Sequence, residues 1–349
     1  MSKMKLKDEP AIKKLAKDLK LGKVRNAEEA IREFCVQQIE TLIKTFGEIK
    51  DLSTFLEIVS SSLGIRFEEV NNDSDIQRIS ESYVVNEPIF ADLYRQLDSQ
   101  TDAILIRLSN RGKWQPKYIA IIDCRNKRWR AFFSKWHEVA HVLTTPAQTS
   151  FQFRRTPALK KDPEEIIVDR IAGDLAFYSP LFLPELLARV KSEKRVTFEI
   201  IEDLRQTICP EASKEATIRA SVSRSPFPQL LIIAEYGLKK DEERRLSSSQ
   251  IDLFPRETTL FEPKLRAVMV TANKAALTAG LWIYQNMEVP QESVIFEALG
   301  DWSSTPATYI KIENLNWWSH SRGRLDDMDI LVEAKKIGDR VFALVSIPN

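Results

Sequence analysis

Histidine is the scarcest informative residue in this chain of 349: there are three, His137, His141 and His320. Cysteine is as rare, and Cys35, Cys124 and Cys209 are odd in number, far apart and without a CxxC pair. That argues against a disulfide framework and a thiolate zinc site, and it fits a reducing compartment. Net charge is nearly absent, since 51 Lys and Arg against 50 Asp and Glu leave +1, so no global field draws the chain to nucleic acid or an anionic membrane. Glycine and proline, 10 and 16 residues, are too few for a collagen-like or low-complexity chain. Long hydrophobic runs are missing: Ala103 to Ile106 and Leu230 to Ala234 fall far short of the roughly 18 residues of a spanning helix. The opening MSKMKLKDEP has no apolar core of a signal peptide. A cytoplasmic protein with no membrane partner is expected, and nothing in the composition specifies an oligomeric state.

What is present has the texture of two or three globular domains. Residues 1–25 carry nine basic residues against Asp8, Glu9 and Asp18, a solvated helix face or a local nucleic-acid contact. Apolar residues from Ala27 to Phe46 recur on one face of a helix entered from Asn26 as N-cap. Leu52 to Leu63 reads as a helix stopped by Gly64, and Ala103 to Ser109 and Tyr118 to Asp123 read as strands. Helical patterns follow over Phe132 to Leu143, stopped by Pro146, and over Glu164 to Phe177. Further short helices are expected over 185–225, with a stop at Cys209-Pro210 and a restart near Ser213. Gln229 to Tyr236, Ala307 to Ile312 and Val341 to Ile347 look like strands, and Leu265 to Leu277 looks like a helix. The charged stretch Lys239 to Ser249 marks the best domain boundary.

Two of the three histidines stand in His137-Glu-Val-Ala-His141. On a helix, side chains at i and i+4 share a face, so both imidazoles reach one ion. Glu138 is rotated by about 100° from His137 and falls beside the ion rather than on it, where it serves as general base. The bland alternative is a chance match on a surface helix. Phe132, Phe133, Trp136, Val139, Ala140 and Leu143 instead mark a mostly buried helix, on which two His and one Glu are costly without a partner. Zn²⁺ suits this donor set and needs a third protein ligand with one position left open. Glu165 is the leading candidate, with Asp169 one turn further along the same helix face and placed to accept a ring N–H. Asp169 or Glu164 as the ligand is the competing assignment.

RAFFSKWHEVAHVL followed by PEEIIVDRIAGDLAFY resembles the ImmA/IrrE-type zinc metallopeptidases. Their pattern couples HExxH with a second helix reading E-x-x-A-[ND]-x-[FIL]-A, and Glu165, Val168, Asp169, Ile171, Ala172, Leu175 and Ala176 occupy those positions. The departures are Val168 for a small residue, Ala140 for the frequent Gly, and Phe177-Tyr178 for the usual Met-Pro; none falls on a metal ligand. The resemblance covers roughly 51–185, and more loosely extends to 237, where Ser213 to Ala216 with Arg219 is similar to a helix-turn-helix-like segment. Together with the patterns on either side of it, it leads us to expect an α+β architecture in four parts. These are a helical N-terminal extension (1–50), a zincin-like metallopeptidase core (51–190), a helical, helix-turn-helix-like segment (191–245) and a mixed α/β C-terminal domain that senses or recruits (250–349).

It also implies an intracellular endopeptidase whose protein substrates are helix-turn-helix repressors, cleaved in stress or mobile-element responses. Zinc is then held by His137, His141 and Glu165, with Glu138 as catalytic base and Asp169 behind a histidine. An extended substrate is expected to pair with the edge of strand 103–109 or 118–123. Tyr178, Arg170 and His320 are candidates for stabilising the oxyanion. A competing reading, of a different class, is a DNA- or protein-binding regulator that uses the metal core as a scaffold. Trp317-Trp318 is expected to place one indole in a core, and the three cysteines are expected to be structural.

Overall fold

Tyr118 to Asp123 is apolar at five of six positions, the pattern of a strand covered on both faces. In the computed structural model all six are buried, and this strand lies inside a four-stranded sheet. The structure describes residues 6–85, 87–109, 115–125, 128–145, 152–155, 162–239, 242, 262–320 and 323–348. It is mixed α+β and divides into two units, residues 1–184 with 205–213, and 185–204 with 214–349. The expected boundary at Lys239 to Ser249 lies almost wholly outside the described residues.

The first unit begins with α1 (Pro10–Asp18), α2 (Ala27–Ile43) and α3 (Leu52–Leu63). Their ends obey local chemistry. The Asn26 side chain accepts from the Glu29 N–H, the Asp51 side chain from the Thr54 N–H, and α3 stops on Gly64 at φ +69°. There follow β1 (Ile65–Val70), α4 (Asp73–Tyr83), α5 (Leu93–Gln96), β2 (Ala103–Arg107), β3 (Tyr118–Asp123), α6 (Arg128–Thr144), β4 (Gln152–Arg155) and α7 (Pro163–Ala176). The sheet order is β1-β3-β2-β4. β1 runs parallel to β3, pairing Ile65 with Tyr118, while β2 is antiparallel to both β3 and β4.

Alternate side chains of the inner strands go to opposite faces. Ile104, Ile106, Ile119 and Ile121 join Val70, Ile76, Ile79 and Phe90 in one core. α6 packs on β2 and β3 and, in turn, on α2, α3 and α7. The strands expected to offer an edge to substrate are both interior: β3 is flanked by β1 and β2, and β2 by β3 and β4. The reason is nonlocal pairing, because β1 and β4 come from either side of them in sequence. The sheet's edges are β1 and β4.

The division between the units runs through α8 (Ser179–Val190) and α9 (Phe198–Ile208). The second unit continues with α10 (Lys214–Arg224), β5 (Gln229–Gly237), β6 (Lys264–Ala272), α11 (Lys274–Thr278), α12 (Val294–Leu299) and β7 (Thr308–Asn314). It closes with β8 (Ser319–His320), β9 (Gly323–Arg324), β10 (Asp329–Ile337) and β11 (Arg340–Ser346). The main sheet is five-stranded and antiparallel, in the order β6-β5-β11-β10-β7. The helix expected over Leu265 to Leu277 is instead the strand β6 and the single turn α11. Its apolar residues suit either period, and pairing with β5 along Leu265 to Ala272 decides for strand. Trp318 is buried and Trp317 stands at the surface with Lys311 Nζ 5.7 Å from its ring centre.

Candidate metal centre

α6 is built around an apolar spine. Phe132, Trp136, Val139 and Ala140 are buried, and Trp136 packs on Phe55 of α3 with ring centres 5.1 Å apart. That spine fixes the rotation of the helix and carries polar groups inward with it: His137, Glu138 and His141 are each less than 5% exposed. α7 starts where its sequence says it should, with Asp162 capping the Glu164 N–H and Pro163 in the first turn. Ile167, Val168, Ile171, Ala172 and Leu175 bury one side of it.

The packing of α7 on α6 brings three groups to one point. His137 Nε2 and His141 Nε2 lie 3.0 Å apart, and the Glu165 carboxylate lies 3.3 Å from the first and 3.4 Å from the second. Among the described residues, these three form a group that could hold a metal ion, with ligand atoms all within 4.8 Å of one another. Asp169 sits on the other side of the first ring, its Oδ1 3.0 Å from His137 Nδ1. A carboxylate there keeps the proton on Nδ1 and leaves a lone pair on Nε2 facing the convergence point.

Charge at the centre is set by opposing effects. Burial pushes the Glu165 carboxyl up, but when the imidazoles are protonated the hydrogen bond from His137 and the charges of both rings outweigh it and hold the carboxyl below its ordinary value. Glu164, the neighbouring acid, is pushed the other way by burial and by Asp162, and its side chain is not in the group.

A feature without a sequence signal braces α7 from behind. Residues 165 and 169 form one stripe of the helix, and 170 and 174 form the next, about 100° around. On that second stripe, Arg170 binds Glu28 and Asp174 takes a two-pronged bond from Arg32, at 2.7 and 2.9 Å. Glu28 and Arg32 are one turn apart on α2, so four charges of alternating sign bridge the two helices. The 142-residue separation of the partners hides this arrangement from any local pattern.

The candidates for stabilising an oxyanion fare differently. Arg170 is committed to Glu28, and the Tyr178 ring is stacked on Phe55 at 4.6 Å. The His320 side chain lies outside the described residues. The three cysteines are all buried, and burial pushes the Cys35 thiol up to about 12. No helix among the described residues is long and apolar enough to cross a membrane.

No protein-family model matches this chain, and no curated protein matches it by sequence. Among solved structures, a Mycobacterium tuberculosis transcriptional regulator is similar with a TM-score of 0.43 and 10% identity, over 91% of this chain and 80% of that one.

Proposed function

We propose that this protein is a zinc-dependent endopeptidase of ImmA/IrrE type, with a zincin-like core, that cuts a regulatory protein such as a helix-turn-helix repressor. The observation that carries the reading is the convergence of His137 Nε2 and His141 Nε2, 3.0 Å apart, on the Glu165 carboxylate, whose Oε2 lies 3.3 Å from the first and whose Oε1 lies 3.4 Å from the second. Ligands of a tetrahedral ion with bonds of about 2.0–2.1 Å stand about 3.3–3.4 Å apart, so each of these pairwise separations is near what a zinc site needs. Two imidazoles and one carboxylate also suit zinc chemically and leave a fourth position open, as hydrolytic sites do. When bound, zinc supplies Lewis acidity toward water and toward the scissile carbonyl.

The chain's own residues supply the rest of the chemistry. Asp169 holds the proton on His137 Nδ1 and fixes that ring's orientation. Glu138 takes the proton of the attacking water on its carboxylate and gives it to the leaving amine. Burial of Glu138 keeps that exchange away from bulk water. An extended peptide can be held by pairing with a sheet edge, and β4 is the edge strand beside β2.

Glu138→Gln tests the reading, because it removes the base and keeps the shape. New protein N-termini are compared in cells carrying the wild type or the variant. The wild type is expected to generate cuts in one or a few DNA-binding regulators, and the variant none, with its metal content unchanged. Equal cutting by the metal-loaded variant contradicts the reading. Full biological activity without cutting leaves the metal core as a scaffold for a binding regulator.

A further inference from the structure

The second unit holds a cavity of about 650 Å³ that has no part in the metal centre. It lies where the first turns of α9 and α10 meet loop 301–306 and the tip of the β10–β11 hairpin. That volume is within the range of about 300–1,000 Å³ typical of small-molecule pockets.

The lining has three parts with different chemistry. Phe198, Ile201 and Ile218 are buried side chains that offer an apolar wall. Trp302 stands on the loop and is 84% exposed. Covering such an exposed indole with an apolar body is favourable. The loop that presents it is braced: the Asp301 carboxylate accepts from the Ser303 N–H at 2.9 Å, the Ala307 N–H at 2.7 Å and the Tyr309 hydroxyl at 3.3 Å. Lys336 Nζ lies 3.3 Å from the centre of the Trp302 ring and donates to the Leu299 carbonyl at 3.0 Å. One face of the indole is therefore occupied by an ammonium. The other suits an electron-rich ring or an apolar body better than a second cation.

The polar part of the lining has a sign. The charges of Asp301 and Lys336 are used within the protein. The Lys214 and Lys335 ammoniums have no hydrogen bond or ion pair among the described residues, and the same holds for the Ser304 and Thr305 hydroxyls. Two ammoniums and two hydroxyls accommodate an acidic head group. Glu202 and Asp339 also line the cavity and bring it to neutrality, which disfavours a polyanion and favours a single acidic group.

We propose that this cavity binds a small amphipathic monoanion, with its apolar or ring-bearing body against Trp302 and Ile218 and its acidic head between Lys214 and Lys335. The site belongs to the second unit and stands independently of the metal reading.

Fluorescence titration of the full chain tests this with two probes of nearly the same shape. They are 1-anilinonaphthalene-8-sulfonate, which carries one anion, and its neutral analogue N-phenyl-1-naphthylamine. The sulfonate is expected to bind saturably at one site per chain. Lys214→Ala with Lys335→Ala should weaken it about tenfold or more, the effect of losing charge-assisted hydrogen bonds, and leave the neutral probe within about twofold. Trp302→Ala should weaken both probes, and millimolar inorganic phosphate should displace neither. All three side chains are at the surface of the cavity, and circular dichroism of the variants checks the fold. Non-saturable sulfonate binding, or binding unchanged in the lysine and tryptophan variants, overturns the proposal. Displacement by phosphate alone overturns its amphipathic part.

Discussion

His137 uses its two ring nitrogens for separate tasks, and that division explains why Asp169 matters without standing at the point of convergence. With Nδ1 held 3.0 Å from Asp169, the ring presents Nε2 as a lone pair toward His141 and Glu165. Asp169→Asn replaces the acceptor with a group that can present a donor to the same nitrogen. Zinc affinity, measured by competition with a chromophoric chelator, is expected to fall about 10- to 100-fold with the fold intact. Unchanged affinity would show that the contact does not orient the ring. The cysteines yield a second expectation at this scale. All three are buried, and burial pushes the Cys35 thiol up to about 12, far from a reactive thiolate. A thiol reagent should therefore titrate none of them rapidly in the native protein and three after unfolding. A fast native thiol would mean that one of them is not structural.

Helix α7 is where local and distant effects meet. Its start, Asp162-Pro163, and its apolar stripe are legible in the sequence, as are the Asn26 cap of α2 and the Gly64 stop of α3. Its brace is not, because Arg32 and Asp174 become neighbours only after α2 and α7 have packed. A double-mutant cycle between Arg32→Met and Asp174→Asn is expected to give a coupling of about 1 kcal/mol in chemical unfolding, at the upper end for a partly exposed pair because the bond is bidentate. A coupling near zero would reduce the four-charge arrangement to surface decoration.

In the second unit, Glu313 on β7 accepts from the Ser293 hydroxyl and the Val294 N–H at the start of α12. Burial pushes its carboxyl up, and those two donors offset only part of the rise. An acid with a raised folded pKa stabilises less as it ionises, so this contribution is lost as pH climbs through the folded value. Glu313→Gln keeps the acceptor oxygen and removes the titration. Its unfolding temperature relative to wild type should therefore be more favourable at pH 7 than at pH 4.5, and the opposite trend would contradict the assignment.

Across the whole molecule, the readable features were those written in one stretch of chain. HExxH on a buried helix, Glu165 and Asp169 four residues apart, and the buried runs of β2 and β3 each need only a local period. Sheet order needed the fold. β2 and β3 look like edge candidates in sequence because each is a short isolated run, yet β1 and β4 close over them. The β6 segment looks helical in sequence for a related reason, since Lys264 to Ala272 acquires its strand character from β5. The N-terminal helices, which composition sets apart, share a unit with the metal centre through Glu28 and Arg32.

The central claim is that His137, His141 and Glu165 together hold one zinc ion. The most direct test is the zinc content of the purified protein, by elemental mass spectrometry after exhaustive dialysis, beside His137→Ala and Glu165→Ala. The account predicts about one zinc per wild-type chain, with most of it lost in either variant. Zinc at background in the wild type, or at the same level in all three proteins, would contradict it.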